Sequence, residues 1–193
     1  MGKGRFEAFS DGVLAIIITI MVLELKVPHG EGLDALRPLI PVFLSYVLSF
    51  VNVGIYWNNH HHMLHTVQRV TGTILWANLH LLFWLSLMPF ATGWMGENHF
   101  SNAAVALYGV VLLMSGAAYK LLQESIIASQ GPQSLLKQAV GADAKGLIAL
   151  GFYCAAIPLA FWYPAISLSF YVIVSLFWFV PDKRIERVLG SKA

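Results

Sequence analysis

Two groups of residues carry chemistry that an otherwise oily sequence has to accommodate. The first is Arg5, Phe9, Ser10 and Asp11, which open the apolar run from Gly12 to Leu23. Asp11 falls one or two turns inside the helix which that run predicts. An ionisable group at such depth costs roughly 3 kcal/mol or more unless it is paired. Asp11 is therefore either an acid at a helix start, favoured by the macrodipole, or a member of a polar network inside the protein. Trp57, His61, Trp76, Asn78 and His80 are its candidate partners. The second group is His60, His61, His62 and His65. His61 and His65, at i and i+4, share a helix face and have the spacing of a metal pair. A catalytic iron or zinc centre would add carboxylates and further histidines, and the nearest acids, Glu7 and Asp11, belong to the first group. The cluster reads as a polar network with wetting at a membrane interface. A pH-sensing role and a metalloenzyme built on the histidines are the alternatives. No resident metal and no cofactor is expected.

The elements that must hold these residues are membrane helices. Hydrophobic residues make up 58% of the 193 positions and charged residues only 11%, with a mean hydropathy of +0.68. A water-soluble domain carries about 25% charged residues, so most of this surface must face something other than water. Crossing the hydrocarbon core takes about 20 apolar residues. On that measure six spans are predicted, at about 6–26, 38–62, 70–95, 101–124, 145–162 and 164–180, within one domain over 1–193. Pro89 interrupts the third. Trp162, Tyr163 and Pro164 supply an interfacial aromatic pair and a turn between the last two. The stretch from Gln130 to Lys145 is polar enough to read as a loop. The first span ends in Glu24, Leu25 and Lys26 rather than in small residues, so it reads as a retained helix and not a cleaved signal. The lone cysteine, Cys154, sits in an apolar run and reads as a small buried hydrophobe.

Six spans put both termini on one side. That side holds Lys3, Arg5, Arg69, Lys120, Lys137, Lys145, Lys183, Arg184, Arg187 and Lys192; the other holds Lys26 and Arg37. The excess of positive charge assigns the termini to the cytoplasm. The net charge of +2 gives no reason to expect a nucleic-acid partner.

At 100° per residue, Ile16, Thr19, Ile20 and Leu23 fall within about 100° of one another, and Asp11 lies more than about 100° from their centre. One face of the first helix is thus an aliphatic column with one hydroxyl. Periodicity alone leaves open whether that column meets lipid, a core or a pore.

The motif Arg5-x-x-x-Phe9-Ser10-Asp11, then Gly12-Val13-Leu14-Ala15-Ile16 and Val22-Leu23-Glu24-Leu25-Lys26-Val27-Pro28, resembles the first helix of the bacterial transmembrane protein 175 family of potassium channels. The segment Ile55–Met63, with Trp57-Asn58-Asn59-His60-His61-His62, resembles the same family, as does the six-span layout over the whole chain. The resemblance implies an all-α homotetramer in a bacterial inner membrane, with the first helix of each subunit lining a central pore for potassium. It implies an isoleucine constriction five residues after the aspartate, at Ile16, further rings at Ile20 and Leu23, and a threonine ring at Thr19 that bears on selectivity. It gives Arg5, Ser10 and Asp11 the task of holding the pore helix against its neighbours. The family has no T-V-G-Y-G filter, and this sequence contains none. Rings of branched side chains close a pore by expelling water but cannot replace an ion's hydration shell, so only modest preference for potassium over sodium is expected. A secondary transporter is the remaining rival, but the paired broken helices and internal repeat of such proteins are missing from the sequence.

Overall fold

The computed structural model describes residues 2–131, 134–141 and 143–179, and every regular element there is helical. Helix α1 (Lys3–Met21) ends in a 3-10 turn at Val22–Glu24, and a second 3-10 segment (Leu33–Leu39) leads into α2 (Ile40–His65). Then come α3 (Gly72–Ser86), α4 (Met88–Glu97), α5 (Asn102–Gln130), α6 (Leu135–Val140), α7 (Ala144–Leu159) and α8 (Pro164–Phe179).

Four segments are long and apolar enough to cross a membrane: Lys3–Glu24, Leu33–His65, Gly72–Glu97 and Asn102–Gln130. The third is α3 and α4 together. Pro89 has no N–H to continue the helical ladder, and the Leu87 N–H turns to the Trp84 carbonyl at 3.2 Å, so the span breaks where the sequence places the proline. Over 145–162 and 164–180, where spans were expected, the structure has α7 and α8, apolar helices shorter than those four, and Cys154, expected to be buried, is exposed on α7. Residue 180 lies outside the described residues, as do Lys183, Arg184, Arg187 and Lys192. The expected loop between Gln130 and Lys145 is corrected in part. It contains α6, whose Leu136 and Ala139 are buried against the bundle while Lys137 and Gln138 stay exposed, a helix-like alternation too short to stand out from its polar setting.

The packing places α1 against α2, α3 and α4, and α5 spans the centre, touching α3, α4, α7 and α8. Helices α7 and α8 form a hairpin on the far side of α5 from α1. Between helices in lipid, small residues allow close approach. At Gly96 an added Cβ would sit 2.7 Å from the Val42 Cα, so α4 and α2 meet backbone to backbone there. Buried hydroxyls satisfy one another across the same seam: the Thr92 hydroxyl donates to the Ser49 Oγ at 2.6 Å, and Ser49 pairs with the Tyr108 hydroxyl at 3.0 Å.

Candidate functional site

Helix α1 has one finished face and one unfinished face. Phe6, Ser10, Leu14, Ile17 and Met21 are buried, and at 100° per residue they lie within about 80° of one another. Their stripe meets α2, α3 and α4. About 130° further round, by the same spacing, Ile16, Thr19, Ile20 and Leu23 are exposed, Ile16 at 57% and Leu23 at 73%. These four share a face that none of the described residues covers.

Thr19 is oriented by its own helix. Its hydroxyl lies 2.9 Å from the Ala15 carbonyl and 3.0 Å from the Ile16 carbonyl, and it donates to them. The proton is thereby committed inward, and the oxygen keeps lone-pair capacity on the exposed side.

The buried face is anchored by a polar chain. Ser10 donates to the Phe6 carbonyl at 3.0 Å and accepts from the Asn78 Nδ2 at 2.9 Å. The Asn78 Oδ1 in turn lies 2.7 Å from the His60 Nε2. All three side chains are buried, so each lost partner would leave a polar group stranded in an apolar setting. A second, half-exposed tie runs beside it: the Trp57 indole N–H donates to the Asp11 Oδ1 at 3.1 Å. A third closes the end of the pair, where the Lys3 ammonium donates to the His65 carbonyl at 2.8 Å.

The structure thus brings Ser10 to Asn78 and Asp11 to Trp57. It does not bring His61 or His80 to either contact. The histidine at Asn78 is His60. His61 stacks on Trp57 and lies against His65, while His80 is exposed and accepts from the Trp84 indole N–H on its own helix at 3.0 Å. Trp76 is exposed as well. The signal for His60 was the period of α2: Ser49, Asn52, Val53, His60, Met63 and Leu64 are among its buried residues, and His61 falls one step off that face. Arg5 lies within α1, not before it, and is exposed along with Phe9. In the single chain these two motif residues stand on the uncovered side.

Away from α1, a cavity of about 60 Å³ lies between α2, α5, α7 and α8, lined by Asn52, Tyr56, Gln123 and Tyr153 among others. The Lys120–Asp143 ion pair (3.1 Å) stands on its wall, with Gln123 donating to the same carboxylate at 3.3 Å. Beyond the opposite end of α1, Lys26 pairs with Glu97 at 2.7 Å, and this hydrogen bond raises the ammonium's pKa above its usual value. Among the described residues, no three histidine, cysteine, aspartate or glutamate side chains form a metal cage.

Comparison with known proteins bears on this arrangement of helices and exposed stripe. The family described as endosomal/lysosomal potassium channel TMEM175 matches residues 5–89, a range that contains α1 to α3, the polar chain and the exposed stripe. A protein from Chryseobacterium sp. (strain P1-3) named as a potassium channel is 58% identical over 189 residues, which cover 98% of each chain. A Gallus gallus protein named as an endosomal/lysosomal proton channel is 35% identical over 103 residues, which cover 47% of this chain and 21% of that one. The crystal structure of a lysosomal potassium-selective channel TMEM175 homolog from Chamaesiphon minutus superposes with a TM-score of 0.82 at 28% identity, covering 93% of this chain and 97% of that one. Near-complete coverage by a relative of that identity and by that fold leaves one assignment: the chain belongs to the TMEM175 family of ion channels.

Proposed function

We propose that four copies of the chain assemble with the α1 helices at the centre, and that the pore conducts potassium with a modest preference over sodium. The observation that carries this reading is the pair of faces on α1. One face is packed and hydrogen-bonded within the subunit; the other presents Ile16, Thr19, Ile20 and Leu23 with none of the described residues over them. Ile16 forms the narrowest ring, with Ile20 and Leu23 continuing the apolar throat. Such a ring gates by dewetting, so a small rotation or tilt of α1 readmits water. The Thr19 oxygens supply partial coordination and a weak choice between cations. Ser10, Asp11, Asn78, Trp57 and His60 set the tilt of α1, and Arg5 and Phe9 meet the neighbouring subunit. The subunit crosses the bacterial inner membrane six times, with both termini in the cytoplasm, as the distribution of Lys and Arg favours. No enzymatic step is assigned.

The named role of the Gallus gallus relative gives protons as a second permeant ion to test. The deciding experiment is current from purified protein in a planar bilayer under potassium, sodium and pH gradients, with the mass of the detergent-solubilised complex measured in parallel. Current with a reversal potential nearer to potassium, from a tetramer, is the expected result. A monomer or dimer, or the absence of current, overturns the reading.

A further inference from the structure

We propose that the side chains of His61 and His65 form an accessory site for a divalent first-row transition metal, Cu²⁺ or Ni²⁺ in preference to Zn²⁺, at the polar end of α2. The two Nε2 atoms are 3.0 Å apart on the exposed side of the helix, one turn from each other. With metal–nitrogen bonds of about 2.05 Å, that separation subtends about 94° at a shared metal. This is the angle of two neighbouring ligands in a square or octahedral site, the geometries of Cu²⁺ and Ni²⁺ with nitrogen and oxygen donors. A tetrahedral zinc site would need the nitrogens about 3.3 Å apart. Without metal, the contact is a hydrogen bond in which one ring donates, so only one Nε2 lone pair is used. A metal takes both.

The rings are set in place by their surroundings. His61 stacks on Trp57 with centroids 6.1 Å apart and meets His65 nearly edge-on, with centroids 4.4 Å apart. Water completes the coordination, since two imidazoles are the whole protein contribution. Binding reaches α1 directly. His65 holds Lys3 through its carbonyl, and Trp57 holds Asp11 through its indole. A metal that clips His61 to His65 therefore stiffens the stretch of α2 that carries two of the ties to α1.

The test uses full-length protein without a polyhistidine tag, in detergent, titrated with Cu²⁺ and Ni²⁺ by calorimetry and by visible absorption. One Cu²⁺ per chain is expected, bound more tightly than Zn²⁺. His65→Gln keeps a hydrogen-bonding side chain and should weaken Cu²⁺ binding by at least roughly tenfold, since even an outer partner of a metal ligand is worth about 10–100-fold. His29→Gln, in the loop before Leu33, should change nothing. Equal Cu²⁺ affinity in wild type and His65→Gln, with the oligomer intact in both, overturns the proposal, as does a site that prefers Mg²⁺ or Ca²⁺. Because binding is read without current, the result stands apart from the channel assignment.

Discussion

The two faces of α1 solve opposite problems. The stripe from Phe6 to Met21 is complete within one chain: its apolar members are buried, and its one hydroxyl, Ser10, is tied to Asn78 and through it to His60. The stripe from Ile16 to Leu23 is apolar too, yet it is exposed. Composition does not separate them, since both are mostly aliphatic. The difference lies in what each face can satisfy. A buried serine needs a fixed partner and finds one on α3. Both hydroxyls turn their protons back to their own helix, but the buried Ser10 oxygen also accepts from Asn78, whereas the Thr19 oxygen stands exposed. The held face has a polar bond to another helix, and among the described residues the exposed face has none.

That contrast can be broken by mutation. Leu14→Ala removes a fully buried side chain from the held face and should cost about 2–5 kcal/mol, toward the low end because lipid already solvates apolar groups in the separated helix. Unfolding in a denaturing detergent series measures it, and a cost below that of a surface substitution would mean the face is not a packed one. Asp11→Ala strands the Trp57 indole and should cost about 1–2 kcal/mol, a moderate loss because that indole is half-exposed. The loss should appear as a weaker tetramer on size-exclusion chromatography with light scattering. A normal tetramer with altered ion preference would reverse the role given to Asp11.

On the exposed face, Ile16→Asn should wet the constriction. Potassium flux into liposomes should rise roughly tenfold, equivalent to about 1.4 kcal/mol off the barrier, and discrimination against sodium should fall. Unchanged flux with the oligomer intact would take Ile16 out of the pore. Thr19→Val keeps the shape and removes the acceptor oxygen. It should lower the potassium-to-sodium permeability ratio by less than roughly tenfold, which is under about 1.4 kcal/mol, without abolishing current. Reversal potentials under bi-ionic conditions report it.

The helical class and four of the long spans were readable from apolar run length, and the break at Pro89 from the chemistry of one residue. The separation of Asp11 from the aliphatic column was readable from helical period alone. The histidines were harder. Residue type drew His61 into the polar network, while the period of α2, which puts His60 on the buried face with Asn52 and Met63, was the better guide. His80 shows the same error on α3. It lies two residues from Asn78, a rotation of about 200° that carries it to the outside. Arg5 and Phe9 could not be placed from the motif alone, because helical period puts both on the exposed side of α1, where no described residue covers them. Helix α6 was hidden by length: its six residues give barely more than one and a half turns of periodicity.

The hairpin of α7 and α8 has a consequence for the surrounding lipid. Helix α7 is 16 residues long, or about 24 Å at 1.5 Å per residue, against a hydrocarbon core of about 30 Å. The exposed rings of Phe161, Trp162 and Tyr163 at their shared turn fix where one edge of the membrane must sit. If α7 crosses, the bilayer beside it has to dip by about one helical turn, at a cost of a fraction of a kcal/mol per Å of mismatch. Acyl chain length then becomes a property the protein reads: shorter-chain lipids match α7, and longer-chain lipids press on a hairpin whose other helix, α8, packs on α2, one of the helices that hold α1.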